Sequence, residues 1–206
     1  MFLITEKKNY TTGVMKGIKA AIPIAIGYFP IAIAFGVISV QSGISLIQAT
    51  SMSLMVFAGA SQFMAAGMIG SGAGAGEIIL ATFILNLRHF IMSMTVMHRF
   101  RNLSKKSTAA LAFGVTDETF AVLSMKEENS DLQEEKLFAA SLILTSYASW
   151  VIGTIIGGIF VDVIPQSISA SMSVGLYAMF IGLLVPAVRE SWRTGIISVL
   201  GMALCW

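Results

Sequence analysis

The chain has 206 residues, of which 56% are hydrophobic and only 12% charged, and its mean hydropathy is +0.82. A soluble domain carries about 25% charged residues and about 45–50% apolar ones. These figures exclude a disordered chain and a nucleic-acid binder, the single Cys205 excludes a disulfide scaffold, and an all-α polytopic membrane protein remains.

The N-terminus is polar through Thr5, Glu6, Lys7, Lys8 and Asn9, without a cleavable signal-peptide pattern. The first apolar stretch begins near Ala20, and no charged residue occurs from position 20 to 76. Further charge-free runs cover 137–161 and 163–188. A hydrocarbon core of ~30 Å takes roughly 20 apolar residues per helical span. Apolar segments fall near 20–40, 45–69, 78–98, 107–125, 138–161, 168–188 and 195–206. About five to seven of them are expected to form one transmembrane domain over 1–206. The seventh is too short to span, so the last helix reads as truncated.

Pro23 and Pro30 interrupt the first segment, Gly59 the second, and a Gly/Ala/Ser run at 67–76 follows. These are candidate helix breaks, since proline removes a backbone donor. Such breaks persist in a bilayer only where they face protein or a water-lined cavity. The plainer alternative is a kink, or close helix packing through small residues. The strongly polar stretch Lys126–Lys136, with five acids and two lysines, reads as a solvated loop between halves of about 17–106 and 126–206. Ser51–Ala58 resembles Ser171–Ala178, with four identities at an offset of 120. Internal repeats are frequent in secondary transporters.

Loop charge sets the expected topology. Lys7, Lys8, Lys16 and Lys19 ask for a cytoplasmic N-terminus, and Arg99, Arg101, Lys105 and Lys106 ask for the same side. Three spans between the clusters would separate them. The conflict disappears if 45–69 is a re-entrant hairpin broken near Gly59. Segment 107–125 then crosses outward, the acidic loop lies outside, and 138–161 returns. If 168–188 is re-entrant too, the halves are an inverted repeat. Seven ordinary spans that break the charge rule twice are the alternative.

Ionisable groups within membrane segments are costly and are functional candidates. Asn86, Arg88 and His89 lie in the third segment, Asp117 and Glu118 in the fourth, and Ser61 and Gln62 beside the break. Arg88 is expected to pair with Asp117 or Glu118 across helices, either as a structural ion pair or as part of a transport site. A carboxylate there could carry a coupling proton, and His89 could relay one or simply be hydrogen-bonded. No metal-ligand spacing, nucleophile motif or phosphate loop occurs, so neither enzyme nor cofactor is expected. Met52, Met55, Met64, Met68, Met92, Met94 and Met97 read as pliable packing.

Phe57-Ala58-Gly59-Ala60-Ser61-Gln62-Phe63, Asn86-Leu87-Arg88-His89 and Thr116-Asp117-Glu118-Thr119-Phe120, in that order, resemble the AzlC family of branched-chain amino acid exporters. Gly17–Gly36, with Pro23 and Pro30, is similar to the family's first helix. The resemblance implies an inner-membrane exporter of leucine, isoleucine, valine and possibly methionine, working with a small AzlD-type membrane protein. Under it, broken-helix N-termini and Arg88 suit a substrate carboxylate, Asp117 or Glu118 suits its ammonium, and Gly59, Ala60 and Ser61 leave room for an aliphatic side chain. A channel or carrier for another small metabolite, or a non-transporting membrane subunit, are the other function classes.

Overall fold

The computed structural model describes residues 2–126 and 131–163, with ten further positions between 181 and 200. The described residues form seven helices and no strand: α1 (Phe2–Gln41), α2 (Leu46–Met55), α3 (Gly59–Gly70), α4 (Ala75–Arg99), α5 (Lys105–Phe113), α6 (Asp117–Met125) and α7 (Leu132–Ile159). Three are long and apolar enough to cross a membrane: Thr11–Gln41 of α1, Ala75–Arg99 and Leu132–Ile159. The chain is an all-helical membrane bundle.

The other four helices are half-length. At 1.5 Å per residue, 9 to 12 residues reach about 14–18 Å, half of a ~30 Å hydrocarbon core. Phe57, at φ +44°, separates α2 from α3. The pair forms a hairpin rather than a crossing. At its tip, Phe57 meets Tyr28 with ring centroids 6.2 Å apart. Midway along α3, Phe63 meets Phe35 at 5.6 Å. At its base, Gly70 packs on Ser42, where a Cβ would lie 3.0 Å from the hydroxyl. The chain therefore returns to the end of the bundle where it left α1. Gly72, at φ +77°, makes the turn into α4.

The segment expected to cross at 107–125 does not. It is a second hairpin, α5 and α6, broken at Gly114–Thr116. α5 runs back along α4: Thr108 Oγ1 donates to the Phe100 carbonyl at 3.2 Å, and Ser93 Oγ to that of Ala112 at 3.0 Å. α6 then returns to the starting end, where the Arg99 guanidinium donates to the Leu123 and Lys126 carbonyls and to Glu135 Oε1, the last at 2.6 Å. Ser104 and Thr116 cap the two short helices, Thr116 in a reciprocal capping box with Thr119.

Two units of one long helix plus one hairpin follow each other. α3 begins at Gly59 and α6 at Asp117, 58 residues later, and α1 and α4 end at Gln41 and Arg99, again 58 apart. α1 and α4 run in opposite directions, so the hairpins enter from opposite ends and their tips meet midway. The inversion lies between these two units. α7 begins 57 residues after α4 and runs parallel to α1. Gly13 faces Glu134, Gly17 faces Phe138 and Ser141, and Gly36 faces Thr154 and Gly158. The described part of the acidic stretch, 131–136, accordingly lies at the end of the bundle where α1 starts, with Lys16 Nζ 2.8 Å from Glu134 Oε1. This corrects the expectation that it lies opposite the N-terminus. Residues 168–180, with the repeated motif, fall outside the described residues.

α1 and α7 touch backbone to backbone. A Cβ on Gly153 would lie 2.9 Å from the Phe29 carbonyl oxygen, and one on Gly157 would overlap that of Ile33. Small residues permit such approach within membranes. Pro23 and Pro30, expected as breaks, lie inside an uninterrupted α1. Prolines survive there because neighbouring helices satisfy freed backbone groups. Ser149 Oγ of α7 donates to the Ala25 carbonyl at 2.8 Å, one residue before the carbonyl that Pro30 leaves unbonded.

Candidate functional site

The two hairpin tips bring the N-termini of α3 and α6 together at mid-bundle. Ala58, Gly59 and Ala60 from one tip and Thr116, Asp117 and Glu118 from the other line a common cavity, closed by Tyr28, Phe57, Arg88, His89 and Trp150. Its free space is about 20 Å³, room for one water molecule.

The cavity wall is built by two polar clusters. In the first, Arg88 Nη1 lies 2.9 Å from Asp117 Oδ2, the ion pair expected across helices. The pair is about 30% exposed, at 31% and 28% for the two side chains. Beside it, the buried Tyr28 hydroxyl lies 2.7 Å from Thr116 Oγ1 and donates to Glu118 Oε2. Adjacent carboxylates on a helix diverge by about 100°. One pairs with arginine and the other with tyrosine.

His89 Nδ1 lies 3.0 Å from the Val115 carbonyl oxygen. A carbonyl only accepts, so Nδ1 carries the proton, and Nε2 of the neutral ring is an acceptor. Nε2, Glu118 Oε1 and Asn86 Oδ1 are buried and unpaired. All three are acceptors, and buried polar groups without partners are rare.

The second cluster supports the first hairpin. Gln62 Oε1 accepts from the Ala58 amide at 3.2 Å and from Trp150 Nε1 at 3.1 Å. Its Nε2 donates to Ser53 Oγ at 3.0 Å, and Ser53 lies 2.8 Å from Thr154 Oγ1. Ser61 Oγ donates to the Ala58 carbonyl at 2.9 Å. Gln62 and Ser61 therefore stand behind the cavity wall and hold the tip. Gly59 is needed for another reason: a Cβ there would lie 2.7 Å from Trp150 Cη2.

The tips differ electrically. α3 has no side-chain cap bond and no acid in its first turn, so its free N–H groups keep their positive end of the helix dipole. α6 carries Asp117 and Glu118 in its first turn and a satisfied cap. Arg88, His89, Asp117, Glu118 and Gly59 thus come together around the cavity, with Ser61 and Gln62 just behind; Asn86 lines an adjoining cleft that also includes His89. Tyr28 and Trp150 belong to the site and were not singled out from sequence. A tyrosine or tryptophan midway along an apolar segment, with a polar end needing a partner, is the signal that could have marked them.

A family model described as AzlC protein matches residues 23–164. The chain is 29% identical over 180 residues to an inner membrane protein, YgaZ, of Escherichia coli, covering 85% of this chain and 74% of that one. It is 33% identical over 179 residues to an uncharacterized membrane protein of Archaeoglobus fulgidus, covering 84% and 75%. A protein of Bacillus subtilis named branched-chain amino acid transport protein AzlC is 29% identical over 139 residues, 68% of this chain and 54% of that one. No solved structure matches at a significant level.

Proposed function

Because this chain belongs to the AzlC family, we propose that it is an inner-membrane secondary transporter exporting branched-chain amino acids, and that the cavity between the hairpin tips is its substrate site. The observation that carries this reading is the convergence of two broken helices on a mid-bundle cavity lined by two residues with unpaired acceptors, His89 and Glu118. Discontinuous helices meeting near the midplane are a recurrent transporter device.

A zwitterion needs opposite charges held a few ångströms apart. The α3 N-terminus offers backbone donors and a positive dipole end to the carboxylate. Glu118 Oε1, His89 Nε2 and Asn86 Oδ1 offer acceptors to the ammonium. Arg88 and Asp117 satisfy each other, so in this conformation they shape the field rather than lie free for cargo. Glu118, held by Tyr28, is the candidate proton carrier: proton and ammonium compete for the same carboxylate, which couples their fluxes. With room for one water, the cavity corresponds to a closed state, and substrate entry requires a hairpin tip to withdraw.

The end bearing Lys16, Lys19, Arg99, Arg101, Lys105, Lys106 and Lys126 is proposed to be cytoplasmic. The opposite loops, 42–45 and 71–74, carry no Lys or Arg. A small AzlD-type membrane protein is the proposed partner. Labelled leucine counterflow in vesicles, with and without that partner, tests the proposal. If leucine exchange persists undiminished in both Arg88→Ala and Glu118→Gln, the site is misassigned. Non-saturating flux would sink the carrier.

A further inference from the structure

Beside the polar cavity lies a second, larger space. It is a cleft of about 280 Å³ between the first hairpin tip, α4 and α5. Val56, Phe90, Ala112 and Phe113 give it an apolar wall, and Asn86 and His89 stand at its polar edge. It shares Ala58 and His89 with the cavity, so the two spaces adjoin.

We propose that this cleft is the side-chain subsite, which receives the aliphatic part of the amino acid whose charged groups sit between the hairpin tips. The inference rests on the proposed transport function and adds which residues select the cargo. The head-group cavity is walled mostly by polar and charged residues, among them Arg88, Asp117 and Glu118, which offer an aliphatic side chain no apolar contact. The cleft approaches the lower end of the range for small-molecule sites, about 300–1,000 Å³. Two of the unpaired acceptors, Asn86 Oδ1 and His89 Nε2, belong to residues lining it. That places the polar end of a ligand at one edge and its apolar end against the wall. Each methylene buried there is worth about fourfold in affinity.

Selectivity then comes from contact with the cleft wall, not from the head-group site. Ala112 is the size determinant, because a larger side chain there takes up space that the cargo's outer carbons need. Phe113 and Phe90 are half-exposed or more, at 55% and 66%, so trimming either widens the cleft without opening a hole in the core.

The test measures how well unlabelled alanine, valine, leucine and phenylalanine displace labelled valine. It uses vesicles holding the chain together with an AzlD-type protein. Ala112→Val is expected to weaken leucine about tenfold relative to alanine. Phe113→Ala is expected to strengthen phenylalanine relative to valine by about the same factor. Leucine-to-alanine and phenylalanine-to-valine ratios within twofold of the parent's, in variants that still carry valine, would overturn the subsite. Glu118→Gln separates the two readings. If it weakens all four amino acids equally while the Ala112 and Phe113 variants leave the ratios fixed, the transport site stands and the subsite falls. If it changes nothing, both fall.

Discussion

Replacing Glu118 with Gln keeps the side chain's length and its contact with Tyr28 while removing the charge. A hydrogen bond to a charged group contributes about 1.5–3 kcal/mol, so apparent leucine affinity should drop about ten- to a hundredfold in counterflow. Tyr28→Phe acts differently. It strips the donor from the buried Glu118 Oε2, while Thr116 Oγ1 keeps its contacts with Thr119. Thermal unfolding in detergent should register a loss of about 1–3 kcal/mol. Arg88→Ala leaves Asp117 alone in a low-dielectric setting, so the double variant with Asp117→Ala should melt above the single one; the reverse order would show that the pair contributes little. The scarcity of charge made Arg88, Asp117 and Glu118 legible in the sequence, because an ionised group in a membrane segment has few explanations. Which acid meets the arginine was not legible. It depends on the rotation of α6 about its axis, which Thr116 and Thr119 set by capping the helix.

At the scale of the element, the first hairpin depends on a glycine. Gly59→Ala puts a methyl into the Trp150 ring, and overpacking typically costs about 1–3 kcal/mol. The variant should lose transport and several degrees of melting temperature, with Gly67→Ala, which faces open space, as the neutral control. The break at Gly59 could be read from the sequence because a conformationally free residue interrupts a segment beside Ser61 and Gln62. The second break could not. Gly114, Val115 and Thr116 are individually ordinary in a membrane helix, and the Asp117-Glu118 pair that follows reads first as a charged site within a span rather than as the acidic first turn of a new helix. What interrupts the helix is Thr116 acting as a cap, with its hydroxyl bound to the Thr119 amide. The prolines misled in the opposite direction. In α1 the helix continues through both prolines, and Ser149 of α7 donates to the Ala25 carbonyl, beside the one that Pro30 leaves unbonded.

For the whole molecule, the hairpins settle which loops share an end. In a Cys205→Ala background, Ser71→Cys and Asn102→Cys should be labelled from opposite sides of the membrane, Ser71 from the periplasm. An impermeant reagent that reaches both from one side would contradict the hairpin arrangement. The grouping of the two basic clusters at one end was legible from charge alone, given one non-crossing segment. The position of the acidic stretch was not. Glu134 and Glu135 lie at that same end because the first meets Lys16 and the second Arg99, contacts that form only once α7 lies parallel to α1. That parallel pair has a mechanical meaning. Where Gly153 and Gly157 bring two backbones together, no layer of side chains remains to change rotamer and slip. The joint is riveted rather than greased, a fixed post of the kind the proposed alternation between two sides needs. Under that proposal the strokes fall to the two short-armed hairpins, each hinged at its own end of the bundle and braced against a column that does not turn.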